Sequence, residues 1–154
     1  MRRALPTALI CLCALACTGG TSSKQPTLEM GAYSIARLDG CQSLGMALAM
    51  TDAFAPNVSV QTQPYPGTIE DYIALSKEQF SQVGIKLIRE AKRGKSGWIV
   101  EYRGAMEGRS LHWYARAELR GKKVYLATAT ALETQWSSAS RKLKPCVDSL
   151  QVPR

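Results

Sequence analysis

The order of its segments predicts that this chain folds as an α+β sandwich, with helices packed on a twisted, mainly antiparallel sheet. Three observations carry that prediction. Residues 85–131 contain four strand-like runs separated by short glycine turns, the pattern of an antiparallel meander. An apolar stripe at helical spacing precedes the meander, and a second one follows it. Shorter strand-like runs lie ahead of the first helix.

Taken in order, Tyr33–Leu38 reads as a first short strand, and Asp39-Gly40 as a turn. Leu44–Met50 is an apolar run of strand length. Pro56-Asn57 interrupts it, and Val58–Gln63 then alternates, with Val58, Val60 and Thr62 on one face. After the loop 64–67, Thr68 has the character of a helix N-cap, with Glu70 and Asp71 in the first turn where the helix dipole favours acids. Ile69, Tyr72, Ile73, Phe80 and Val83 share one helical face, Ser76 is its gap, and Gly84 is the stop.

Ile85–Ala91 and Trp98–Arg103 are the next strands, joined by a turn over 93–97. Gly104–Gly108 turns the chain into Arg109–Leu119, which places Leu111, Trp113, Ala115, Ala117 and Leu119 on one face. Its other face carries Ser110, His112, Tyr114, Arg116 and Glu118. A tight turn at Arg120-Gly121-Lys122 leads to the last strand, Val124–Ala131. The meander leaves a face that needs a cover. The closing helix supplies it with Trp136, Ala139, Leu143, Val147 and Leu150, although Pro145 is expected to kink or break that helix.

The N-terminus sets the compartment. Arg2 and Arg3 precede an uncharged, mostly apolar run, Ala4–Ala16, which has the layout of a secretory signal and is too short to span a bilayer. Cys17 follows small Ala16, and a Gly/Thr/Ser-rich stretch follows Cys17. The segment resembles a bacterial lipobox, which implies cleavage before Cys17, acylation of its thiol and anchoring to a membrane, palmitate being a chain of the kind such an anchor carries. Ala14 stands where a lipobox usually has Leu. Plain export is the other reading. Acyl chains bury at about 0.8 kcal/mol per CH₂, so two or more anchor a domain stably. The expected division is a signal at 1–16, a flexible tether at 17–31 and one domain at 32–154. The expected location is the bacterial cell envelope. For a Gram-negative source it is the outer membrane facing the periplasm, since Thr18 is not an Asp retention signal.

The formal net charge is +8, and loss of Arg2 and Arg3 leaves +6. The cations form three groups: Lys86, Arg89, Lys92, Arg93 and Lys95; Arg120, Lys122 and Lys123; Arg141, Lys142 and Lys144. A solvated basic surface accounts for this charge; in an exported protein it also suits anionic lipid, lipopolysaccharide or an acidic partner, and no nucleic acid is expected. After maturation Cys41 and Cys146 remain beside Cys17. In an oxidising compartment they are either a disulfide or two separate buried thiols. A bridge would close a loop of roughly 105 residues, worth about 4.7 kcal/mol in the chain-entropy treatment.

The layout resembles the PsbP/Mog1/DcrB-like superfamily and the LpqN-type lipoproteins of actinobacteria. The resemblance rests on a YSI…DG opening at Tyr33–Gly40, the segment APNVSVQTQPYPG (55–67) and the helix TIEDYIALSKEQF (68–80). A Trp/Tyr strand, a GR turn, a long strand, YLATATA (125–131) and a terminal helix ending near DSL (148–150) complete it, over roughly 32–151. Cys41 stands where members often place Trp after the opening turn. The resemblance implies an α/β/α sandwich with two main helices and a role in binding other proteins, not a reaction.

Chemistry is sparse. His112 is the one histidine, set in mid-strand without a nucleophile motif, and it reads as structural or surface. No metal-ligand spacing, phosphate loop or dinucleotide fingerprint is present, so neither metal nor cofactor is expected. Glu101, Glu107 and Glu118 are carboxylates of the kind any solvated sheet carries. Core packing accounts for most of the aromatics. Tyr114, Arg116 and His112 share a polar strand face and, with Lys122 and Lys123, are the candidate partner contacts. The expected function is a non-catalytic envelope lipoprotein that binds a partner protein or supports an envelope complex. The alternative is a module for a small ligand or an anionic glycolipid.

Overall fold

The computed structural model describes residues 54–152 and, ahead of them, the backbone of three short strands at 27–29, 34–36 and 46–47. These strands are β1 (Thr27–Glu29), β2 (Ser34–Ala36) and β3 (Met46–Ala47). They are followed by β4 (Asn57–Pro64), α1 (Ile69–Gln82), β5 (Lys86–Arg93), β6 (Gly97–Met106), β7 (Arg109–Arg120), β8 (Lys123–Leu132) and α2 (Trp136–Asp148). Strands β1 and β2 form a small antiparallel sheet of their own. Strand β1 lies within the segment read as tether. The first predicted strand, Tyr33–Leu38, contains the shorter β2, and Leu44–Met50 contains the two-residue β3.

The main sheet has the order β3-β4-β8-β7-β6-β5, with every pairing antiparallel. Strands β5 to β8 are the expected meander, and β4 returns against β8 from Asn57↔Thr130 to Pro64↔Lys123. Two hairpins are tight. Glu107 and Gly108 have φ of 51° and 75°, and Gly121 and Lys122 have φ of 53° and 62°. Positive φ at both central residues matches the turn that follows the right-handed twist of paired strands. The first of these turns is narrower than the five-residue turn expected over Gly104–Gly108, because β6 continues to Met106.

Helices cover both faces, which makes the α/β/α sandwich. On one face Ile69 and Tyr72 of α1 pack against Trp98, Val100, Ala115, Ala117 and Val124. Phe54, Ile85, Leu111 and Trp113 form a separate cluster, against which Phe80 of α1 packs. On the other face Trp136, Ala139, Leu143, Cys146 and Val147 of α2 lie on Val58, Tyr114, Tyr125, Ala127, Ala129 and Ala131. The three alanines of β8 are fully buried. Their small side chains let the helix approach the sheet, and the larger residues of α2 fill the space.

Helix α1 begins as its sequence predicts. The Thr68 hydroxyl accepts from the Asp71 amide at 3.1 Å, and the Asp71 carboxylate accepts from the Thr68 amide at 3.0 Å. This reciprocal box satisfies two N-terminal donors. Ser76, the gap in the apolar stripe, is buried, and its hydroxyl donates to the Tyr72 carbonyl at 2.8 Å. Val83 departs from the expectation. It caps the helix with φ −103° and ψ 10°, leaves the helical phase and is 65% exposed. In α2, Pro145 removes one backbone bond but does not end the helix, which runs on to Asp148. The Ser149 amide bonds the Pro145 carbonyl at 3.1 Å, so the ladder resumes past the proline.

Candidate functional site

Alternation on β6 sends Trp98, Val100 and Tyr102 toward α1, and therefore sends Glu101 to the α2 side. The pairing of Glu101 with Tyr114 on β7 and with Arg89 on β5 sets a carboxylate in the middle of that face. Helix α2 then closes over it. Four donors meet the Glu101 carboxylate. Arg89 Nε is 2.8 Å from Oε2, and Lys144 Nζ is 2.8 Å from Oε1 and 3.0 Å from Oε2. His112 Nε2 and Trp136 Nε1 are each 3.1 Å from Oε1. Burial alone would raise the Glu101 carboxyl. The hydrogen bond and charge of Lys144, with the hydrogen bonds of His112 and Trp136, outweigh it and hold the group down at about 2.

His112 is held from both sides, since its Nδ1 lies 2.9 Å from Glu133 Oε2. Each ring nitrogen therefore lies within hydrogen-bond distance of a different glutamate carboxylate. The ring stacks on Trp136 with centroids 4.1 Å apart and planes 13° apart. Lys144 Nζ sits 5.4 Å from the Trp136 ring centre and 5.2 Å from that of Tyr114. A second group grips the far end of α2. The Tyr114 hydroxyl donates to Asp148 Oδ1 at 2.8 Å, and Arg116 Nη1 donates to the Asp148 carbonyl at 2.6 Å. Arg116 Nε and Nη2 also donate to Glu118 Oε1, at 3.2 and 2.7 Å. A cation at this position complements the helix C-terminus. Burial first, and the Asp148 hydrogen bond next, push the Tyr114 hydroxyl well above its ordinary range, so it remains a neutral donor.

The structure thus brings His112, Tyr114 and Arg116 together, but beneath α2. They are buried, whereas an open contact patch would leave them accessible. The polar strand face that suggested a contact surface is the face the closing helix covers, and its polar groups are matched there by groups of α2 and its entry loop. Lys122 and Lys123 are exposed at the β7–β8 turn, apart from the other three. Cys146 is buried in α2, while Cys17 and Cys41 lie outside the described residues, so the anchor and the pairing of Cys41 with Cys146 do too. Trp98 and Trp113 are core residues. Glu101, Glu133, Trp136 and Lys144 are not evident in the sequence as parts of one cluster. The available signal was the turn at Glu107-Gly108, which pairs Glu101 with Tyr114 once it is taken as two residues long. Among the described residues no buried side-chain nitrogen or oxygen lacks a hydrogen-bond partner, and no group of three or more metal-ligating side chains occurs.

An antiparallel sheet between two helices is an α/β/α sandwich, and solved structures, cyanobacterial PsbP among them, are similar to this chain in fold. PA94 of Pseudomonas aeruginosa, a protein of unknown function, is 18% identical with a TM-score of 0.62, covering 84% of this chain and 96% of its own. The cyanobacterial PsbP (CyanoP) of Synechocystis sp. PCC 6803 is 15% identical with a TM-score of 0.55, covering 90% of this chain and 99% of its own. LpqN of Mycobacterium tuberculosis, which is involved in cell envelope biogenesis, is 9% identical with a TM-score of 0.49, covering 83% and 90%. At these identities the likeness is one of fold. No protein-family model matches the chain, and no curated protein matches it.

Proposed function

We propose that this chain is a non-catalytic lipoprotein of the cell envelope, held to a membrane through acylated Cys17, whose folded domain binds a partner protein. The observation that carries the non-catalytic part is the closed state of the Glu101 cluster. Its acid, its imidazole and its lysine are engaged with one another and with α2. A general acid or base must reach a substrate proton within hydrogen-bond distance, and here those positions are filled by protein donors. The envelope part rests on the lipobox-like segment ending at Cys17. The partner-binding part follows the fold resemblance and is the reading that remains when the buried polar groups fasten a helix.

Cross-linking in the intact envelope tests the partner. Enrichment of a specific protein over an unrelated domain fused to the same N-terminal 31 residues is expected. Equal recovery with both baits would count against it. For the anchor, Cys17→Ser is expected to release the domain from the membrane fraction or to leave the precursor uncut. Wild-type acylation and membrane retention of that variant would overturn the assignment.

A further inference from the structure

Strand β5 is the edge of the main sheet, and all eight of its residues are exposed. Among the described residues, the exposed large apolar side chains are Val83, Leu87 and Ile88, at 65%, 38% and 47% exposure. All three belong to the cap of α1 and the start of β5. Lys86, Arg89, Lys92, Arg93 and Lys95 share the segment with a single acid, Glu90. Two of these charges are drawn toward α1, where Lys92 pairs with Glu70 and Glu90 with Lys77. Arg89 reaches Glu101 yet stays 62% exposed. Among the described residues Lys86, Arg93 and Lys95 form no ion pair.

Three occupants could cover this edge. A second copy pairing β5 to β5 would set same-face residues opposite one another, and on the α2 side these are Lys86, Arg89, Ala91 and Arg93. Cations would then face cations. An added strand from another protein would meet the register shift between Leu87 and Arg89, which interrupts an even ladder, and would not cover Val83 on the helix cap. An anionic bilayer surface accepts both the charge and the apolar tips. We propose that the β5 edge and the end of α1 seat the domain on anionic lipid. Lys86, Arg89, Arg93 and Lys95 meet headgroup phosphates, and Val83, Leu87 and Ile88 enter the interfacial layer. The proposal rests on the envelope reading only for placing the domain beside a membrane.

Amine labelling of the full chain, read by mass spectrometry on vesicles, tests it. On phosphatidylglycerol vesicles the labelling of Lys86 and Lys95 is expected to fall about threefold or more relative to phosphatidylcholine vesicles, as attraction to anionic lipid requires. Lys142, on the outer side of α2, is expected to be unchanged. The pair Lys86→Glu and Arg93→Glu abolishes protection of Lys95. Leu87→Ser with Ile88→Ser reduces it, and these substitutions fall on exposed positions that the fold tolerates. Equal labelling on both lipids, or protection that includes Lys142 to the same degree, overturns the proposal. So does protection without vesicles that grows with protein concentration, which would assign the edge to a second copy, and so does protection by inorganic phosphate alone. A protein that protects these lysines on vesicles yet is absent from the envelope would keep the surface and overturn the envelope reading instead.

Discussion

At Glu101 a carboxylate leaves water and meets four donors from two strands and a helix. Removing its charge leaves the buried donors His112 and Trp136, and the partly buried Lys144, facing a weaker acceptor. Glu101→Gln is therefore expected to destabilise the fold by about 2–4 kcal/mol in denaturant unfolding, with no change in strand content. The pH dependence has a definite sign. A carboxyl lowered from 4.5 to about 2 in the folded protein contributes stability that is complete above the unfolded value and is lost as pH falls through about 2. The full contribution is about 3 kcal/mol by linkage. Lys144→Met removes the largest influence opposing burial, so it is expected to raise the Glu101 titration. Melting temperatures from pH 5 to pH 2 should then fall less steeply for the variant than for wild type, and parallel curves would show that Lys144 does not hold the carboxyl down. Little of this cluster was legible in the sequence. His112, Tyr114 and Arg116 were visible as polar residues on one strand face, but alternation says only that they share a face. Whether water or a helix lies over that face depends on the return of α2, a long-range contact with no local signature.

Local chemistry decides the elements, and the sequence reports it well where caps and turns are involved. Thr68 marked the start of α1 as its N-cap, and Asp71, expected there for the helix dipole, also closes a capping box with it. Thr68→Ala is expected to cost about 1 kcal/mol, measured by thermal or denaturant unfolding. Glu107 sits at φ 51°, a left-handed conformation that a side chain like Glu adopts at a cost. Asn is favoured there ahead of glycine, so Glu107→Asn is expected to stabilise the protein by about 0.5–1 kcal/mol. A loss of stability would mean that the Glu107 side chain has a role the turn geometry does not reveal. Val83 and Pro145 show where patterns mislead. A helical stripe does not stop at the cap, so periodicity carried Val83 one residue too far. Pro145 stands close to the C-terminus of α2, where losing one bond ends little. Strand β5 was legible as a strand but not as an edge, because edge position depends on which strand the meander leaves outermost.

For the molecule as a whole, the order strand, helix, meander, helix was enough to predict an α+β sandwich, the family resemblance implied its α/β/α layering, and solved structures of similar fold agree with both. The order is informative because an antiparallel meander can be covered by neighbouring helices without long crossovers. The proposed function puts a domain whose buried charges fasten a helix on an acylated Cys17. The direct measurement is the intact mass of the protein extracted from its host's envelope. The expected result is a chain that begins at Cys17 and carries the added mass of two or three acyl chains. A chain that begins at Cys17 without lipid, or one that still begins at Met1, would contradict it.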